Sequence, residues 1–168
     1  MFNLLKPNLY VARLENIPLE QLTQKGIRGL IIDLDNTITE WNSFEIQDKV
    51  MDWFKLLPKY GLQPCLVSNN NRGRVKRVAD LLEVPFIHKA GKPRRKAFRK
   101  GVEALNLKPE EVAVIGDQVF TDVLGGNRSE LLTILVVPLS TREFIGTRFM
   151  RRLEKLVLAH IIKQEPER

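Results

Sequence analysis

The stretch GLIIDLDNTITEWN, residues 29–42, decides the reading of this chain. Its opening residues, GLIIDL (29–34), are apolar at successive positions rather than alternating, and the run is too short for a helix. That is the pattern of a strand covered on both faces. The run then delivers two carboxylates, Asp33 and Asp35, separated only by Leu34. Charge is expensive to bury unless it is paired or bound to metal. A core strand ending on two acids therefore points to a cation at its carboxyl end.

Further apolar runs at 64–68 (PCLVS), 85–87 (PFI), 112–116 (VAVIG) and 133–137 (TILVV) read as strands. Helical patterns lie between and after them, near 18–25, 44–57, 71–83, 94–106, 118–130 and 141–163. Ser43 is a candidate N-cap, Tyr60-Gly61 a helix end, and NLKPEE (106–111) a turn into a new helical start. The alternation predicts an α/β fold, a three-layer α/β/α sandwich with a mainly parallel five-stranded sheet. Residues 1–168 read as a single domain, the size at which one chain buries one core.

Composition is that of an ordinary globular protein, 43% hydrophobic and 28% charged, with no low-complexity stretch or repeat. The lone Cys65 excludes an intrachain disulfide and a Cys-based zinc site, and favours a reducing intracellular setting. The N-terminal MFNLLKPNLYVARL is interrupted at Lys6-Pro7-Asn8 before a secretory apolar region can form, and no run is long enough to span a bilayer. The expected location is cytoplasmic, with peripheral contact at the inner membrane surface as an option. A net charge of +7 calls for an anionic partner: nucleic acid, an anionic membrane or a phosphorylated small molecule. Much of the basic charge lies in NNRGRVKR (70–77) and HKAGKPRRKAFRK (88–100), which contain no acid.

In open parallel sheets, ligands bind outside the carboxyl ends of the strands. Four segments place polar residues there: Asp33 to Thr37, Ser68 to Asn71, Lys92 and Asp117 to Asp122. Mg²⁺ prefers hard oxygen ligands, and Asp33, the main-chain carbonyl of Asp35 and Asp117 form such a set. One carboxylate of the pair can attack phosphorus and the other can serve as acid and then base. Thr37, Ser68 and the amides around Asn36 and Asn69 can bind phosphoryl oxygens, and Lys92 can offset charge on the nucleophile and the transferring group. Asp122 is expected to orient Asp117 or a water on the metal.

Taken in order, DLDNT (33–37), SNN (68–70), GKP (91–93) and GDQVFTD (116–122) resemble the haloacid dehalogenase superfamily of phosphatases, over residues 27–138. The resemblance implies Asp33 as nucleophile, Asp35 as general acid and base, Ser68 as phosphate ligand, Lys92 as the neutralising lysine, and Asp117 with Asp122 as the acidic metal motif. An acid at position 35 matches the phosphatase branch of that superfamily. Asn36 stands where glycine is more frequent there, and Asn tolerates a left-handed backbone. With LLKPNLYVARLENIPLEQLTQKGIRGLIIDLDNT (4–37), the whole chain is similar to the YqeG-type subfamily, whose eukaryotic relatives are phosphatidylglycerophosphate phosphatases. That similarity implies removal of the terminal phosphate of phosphatidylglycerophosphate.

About thirty residues separate Asp35 from Ser68, room for one helix and its loops but not for a cap domain, so the site is expected to be open. An open site suits a phosphate on a phospholipid headgroup or a nucleic-acid end, or a site covered by an oligomeric neighbour. The basic stretches following Ser68 and Lys92 either border the site or form solvated helix faces. In the C-terminal segment (141–163), Arg148, Arg152 and Lys155 form one stripe and Phe149, Leu153, Leu156 and Ile161 another. Such a helix either lies in a membrane interface or, as expected here, packs its apolar face on the sheet.

His88, His160, Trp41, Trp53 and Cys65 are expected to be structural, and the GGN at 125–127 is too short for a nucleotide fingerprint. Two alternatives to the lipid phosphatase stand: a phosphatase of nucleic-acid ends or soluble phosphomonoesters, and a noncatalytic binding module. Aromatic residues for stacking single strands are sparse in the basic runs. Loss of Asp33 or Asp117 would mark a noncatalytic module, and both are present.

Overall fold

The computed structural model describes residues 2–140, 150 and 152–159. In chain order its main elements are β1 (Leu9–Val11), α1 (Leu19–Gln24), β2 (Gly29–Ile32), α2 (Asp48–Leu56), β3 (Gln63–Val67), α3 (Arg72–Leu82), β4 (Phe86–Ile87), α4 (Arg95–Leu105), β5 (Val112–Gly116), a π-helical turn (Val119–Val123), α5 (Leu124–Arg128) and β6 (Leu132–Val136). The strands form one parallel sheet in the order β1-β6-β5-β2-β3-β4. The sheet has six strands, not the expected five. The missed one, β1, is a three-residue edge strand with a half-exposed pattern, too short for a periodic signal.

Strand side chains alternate between two hydrophobic layers, as the two-residue period of a strand requires. Leu30, Ile32, Leu66, Ala113 and Ile115 face a layer supplied by α1, α2 and α3 through Leu19, Leu22, Val50, Trp53, Phe54, Val75, Val78 and Ala79. Ile31, Cys65, Val67, Val112 and Val114 face α4 through Ala97, Phe98, Val102 and Leu105. Both faces being covered explains why β2 and β5 are buried at every position. Gly125 and Gly126 of the GGN stretch serve packing: a Cβ at the first would collide with the Phe98 ring and one at the second with Thr133.

Three helical expectations change. α2 begins at Asp48 rather than 44, with Gln47 at its cap and no side-chain cap bond; the Ser43 hydroxyl instead accepts from the Glu45 N–H. The helical start expected in NLKPEE is only a short 3-10 turn, Pro109–Glu111, at the end of that stretch, and it leads straight into β5. The element expected at 118–130 divides into the π-helical turn and α5.

Of the expected helix at 141–163, residues 152–159 are helical, while Arg148, Phe149, His160 and Ile161 lie outside the described residues. Of the expected apolar stripe, Leu153 and Leu156 are described. Leu158 joins the cluster of Val119, Val123 and Leu135, and the buried Glu154 carboxylate accepts from the Phe120 N–H, whereas Leu153 and Leu156 are exposed.

Because Phe98 is fully buried between α4, α5 and the sheet, Phe98→Ala is expected to lose about 3–5 kcal/mol in urea unfolding. A loss below about 1 kcal/mol would show that this ring does not seat α4 on the sheet.

Candidate active site

Three site residues sit one position beyond a strand, and two of these keep a ladder bond to the neighbouring strand. The Asp33 N–H donates to Ile115 O at 2.9 Å and the Ser68 N–H to Ile87 O at 3.0 Å; Asp117 follows β5 directly. Because β2 lies between β5 and β3 with matched register, these residues meet at one rim. Lys92 arrives from the loop after β4, where its main chain is stapled to Asn69. The Lys92 N–H donates to Asn69 Oδ1 at 2.8 Å, and Asn69 Nδ2 donates to Lys92 O at 3.2 Å.

At the centre, Lys92 Nζ lies 2.7 Å from Asp33 Oδ1 and 2.7 Å from Asp122 Oδ1, all three side chains being buried. The π-helical turn supplies Asp122, whose Oδ2 also accepts from the Gln118 N–H at 3.2 Å. Asp122 thus holds Lys92, a contact beyond the expected one, in which it orients Asp117 or a water on the metal. Burial pushes the Asp33 carboxyl up to about 7 against the pull of Lys92, and the neighbouring charges of Asp122 and Asp35 push the same way. For Lys92, burial opposes the charge, but Asp122 and Asp33 outweigh it and hold the ammonium above its ordinary value. The Cys65 thiol is pushed up to about 12 by burial and sits in the core, which leaves it a packing residue.

One carboxylate oxygen each from Asp33, Asp117 and Asp122 gather within 4.8 Å of one another. Lys92 pairs with Asp33 and Asp122, and Arg74 with Asp35. An all-oxygen cluster of carboxylates fits a hard divalent cation. Both oxygens of Asp122 accept from protein donors, Lys92 Nζ and the Gln118 N–H.

The remaining expected residues divide into those facing the rim and those used internally. The Thr37 hydroxyl donates to Asp117 Oδ1 at 3.4 Å. Ser68 Oγ accepts from the Asn70 N–H at 3.1 Å, which leaves its own proton available to a ligand. Asn36 is left-handed (φ 59°), its N–H donates to Thr39 O and its Oδ1 accepts from the Trp41 N–H, so it shapes the turn. Asn69 likewise spends its side chain on Lys92.

The Asp35 side chain turns onto Arg74 and Asn70, two residues that sequence reading missed. Arg74 had been counted within a basic run, yet it is buried while Arg72, Lys76 and Arg77 are exposed. The available signal was its position four residues before Val78 and next to Val75, on the apolar face of α3. Trp41, expected to pack, is 39% exposed beside the site loop.

The sequence profile of the haloacid dehalogenase-like hydrolases matches residues 20–129, and the chain belongs to that family. Among its relatives, the "Probable phosphatase YqeG" of Bacillus subtilis (strain 168) is 42% identical over 153 residues, covering 91% of this chain and 89% of that protein. The chloroplastic/mitochondrial phosphatidylglycerophosphate phosphatase 1 of Arabidopsis thaliana is 29% identical over 94% of this chain, which spans 48% of that protein. Among solved structures, a HAD-superfamily hydrolase from Ehrlichia chaffeensis superposes with a TM-score of 0.56 at 15% identity, over 77% of this chain and 98% of that one, a likeness of fold.

The raised Asp33 pKa sets a pH dependence for the chelator-treated protein. A carboxyl moved from 3.8 to about 7 holds a proton in the folded state that the unfolded chain releases. Its stabilising contribution is full below the unfolded value and is lost as pH rises through the folded one. In EDTA, the unfolding temperature is expected to fall between pH 4 and 7 more steeply than in Asp33→Asn, and Mg²⁺ should raise it most at the upper end. Equal slopes for the two proteins would remove Asp33 as the group responsible.

Proposed function

We propose that this haloacid dehalogenase-like phosphatase removes the terminal phosphate of phosphatidylglycerophosphate, with Mg²⁺ and through an aspartyl phosphate on Asp33. The observation that carries this reading is the grouping of Asp33, Lys92 and Asp122 beside Asp117 at an open sheet rim. Between Asp35 and Ser68 the chain forms only a loop, α2, a 3-10 turn and β3, so no cap domain stands over the site there.

In this mechanism a carboxylate oxygen of Asp33 attacks phosphorus and the bond from phosphorus to the ester oxygen breaks. The departing oxygen takes its electron pair and a proton from Asp35. Asp35 then removes a proton from water, whose oxygen bonds to phosphorus as the Asp33–phosphorus bond breaks, and phosphate leaves. Lys92 keeps the Asp33 carboxylate from repelling the incoming dianion, and Asp122 keeps Lys92 in place. The Ser68 and Thr37 hydroxyls supply hydrogen bonds to phosphoryl oxygens. Asp33, Asp117 and the main-chain carbonyl of Asp35 would hold Mg²⁺, which offsets negative charge on the transferring phosphoryl group.

The lipid assignment draws on the name of the Arabidopsis relative and on two features of the chain. No cap domain is inserted between Asp35 and Ser68, and the exposed Arg72, Lys76, Arg77, Lys89, Arg94 and Arg95 follow site segments in the chain, where they can draw an anionic surface. No described helix is long and apolar enough to cross a membrane. Access to a lipid would therefore be peripheral for the part described.

Phosphate release from phosphatidylglycerophosphate in mixed micelles with Mg²⁺ is expected, and Asp33→Asn should abolish it. Removal of a nucleophile typically costs several powers of ten. Turnover of a soluble phosphomonoester or of a 5′-phosphorylated oligonucleotide with none on the lipid would keep the mechanism and discard the lipid. Inactivity on all three would favour a binding module.

A further inference from the structure

Arg74 donates four side-chain hydrogen bonds beside the rim. Its guanidinium is 7% exposed and grips two things at once. On one side Nε lies 2.8 Å and Nη2 2.6 Å from Asp35 Oδ1. On the other, Nη1 donates to Ser43 O at 2.7 Å, and Nη2 donates to Thr39 Oγ1 at 3.1 Å and Glu40 O at 3.2 Å. Phe44 lies against the same group, 5.3 Å from the Arg74 guanidinium and 4.2 Å from that of Arg77. The loop between β2 and α2 is thus fastened to α3 at the residue that carries Asp35.

The two Asp35 oxygens are unequally engaged. Oδ1 accepts from Arg74 Nε and lies against the charge of Nη2, while Oδ2 accepts from the neutral Asn70 Nδ2 at 3.0 Å. A carboxylate oxygen offers about two acceptor positions, so Oδ2 keeps one. A proton on Oδ1 would face the guanidinium charge, whereas a proton on Oδ2 leaves Oδ1 a carbonyl-like acceptor and the grip intact.

Taking Asp35 as the acid and base of the proposed phosphatase, we propose that Arg74 is the positioning residue that holds Asp35 by Oδ1 and presents Oδ2 to the leaving group. In the first half-reaction the Oδ2–H bond breaks as the ester oxygen departs with the phosphorus–oxygen electron pair and takes the proton. In the second, Oδ2 takes a proton from the attacking water. Lysine cannot substitute, because a single ammonium lacks the planar fork that reaches Asp35 and the loop oxygens together.

The test compares kcat/KM for p-nitrophenyl phosphate, whose leaving group departs without a proton, with that for a simple alkyl phosphate, whose leaving group needs one. Wild type, Arg74→Lys, Arg74→Met, Asn70→Ala and Asp35→Asn are assayed with Mg²⁺, and near-UV circular dichroism identifies the folded variants. General acid catalysis contributes about 10²–10⁴-fold, so folded Arg74 variants should lose about 100-fold or more on the alkyl ester and less than about tenfold on the nitrophenyl ester. They should also show a burst of nitrophenolate, because the water step that needs the base becomes slow. Asn70→Ala should show the same split more weakly, which keeps the test available should both Arg74 variants unfold.

Equal losses on the two esters without a burst would make Arg74 merely structural and overturn the proposal, as would an unchanged ratio in folded variants. If Asp35→Asn itself shows no split while wild type turns over both esters, the assignment of Asp35 fails and takes the proposal with it. If wild type turns over neither ester, the phosphatase reading fails first.

Discussion

The pairing of the Lys92 ammonium with Asp33 and Asp122 is the interaction on which the rim depends. Parallel strands covered on both faces give the site its rigidity, but they also place their carboxyl-end residues where water is scarce, and this chain puts acids there. A buried carboxylate without a partner would cost several kcal/mol. One buried lysine serves two carboxylates, at 2.7 Å each, and its backbone is locked to Asn69 so that it cannot withdraw. Gly116 belongs to the same constraint: a Cβ there would overlap the Asp122 carboxyl group, so the glycine opens the space in which Asp122 reaches Lys92. One ammonium thus lies between two acids, with a third carboxylate, Asp117, close by. Three carboxylates gathered so closely are an oxygen set that suits a hard divalent cation.

A second pairing works on the other side of Asp33. Arg74 ties Asp35 to α3 and to the loop that precedes α2, where a cap domain would otherwise be a common insertion in this superfamily. Between Asp35 and Ser68 no cap is inserted to complete the geometry at the moment of substrate binding. The burden of preorganisation then falls on fixed contacts within the loop, and a buried guanidinium with five donors meets it better than a mobile lid.

Five of the six strands and the four site segments could be read from the sequence, because each rests on local chemistry: an apolar run, then a polar residue at its end. What could not be read arises from tertiary contact. The 44–47 stretch has helical composition, yet α2 starts at Asp48 because Arg74 and the Ser43–Glu45 turn hold the preceding loop in another shape. β1 is three residues long and is specified by pairing Leu9–Val11 with Ile134–Val136, a partner 125 residues away. The sequence points to the amides around Asn36 and Asn69 as phosphate donors, but not to the bracing contacts their side chains make with the Trp41 N–H and the Lys92 main chain. Arg74 is hidden in a run of basic residues because charge counting ignores which face of a helix each residue occupies. Helical phase places it inward with Val75 and Val78 while its basic neighbours face out.

That phase divides the basic residues into two populations with different physics. Arg74 and Lys92 are buried and paired, so salt barely screens them, and their contribution is geometric. Arg72, Lys76, Arg77, Lys89 and the cations at the start of α4 are exposed. Their field decays over about 8 Å at physiological ionic strength and can act only on approach. For such a division, added salt weakens the capture of an anionic substrate, a KM effect, before it alters kcat. A neutral or small phosphomonoester would gain little from the outer population. A densely anionic surface, presenting many charges within one screening length, would gain most, which is the physical reason a capless rim with this charge suits a phosphate embedded among other anions.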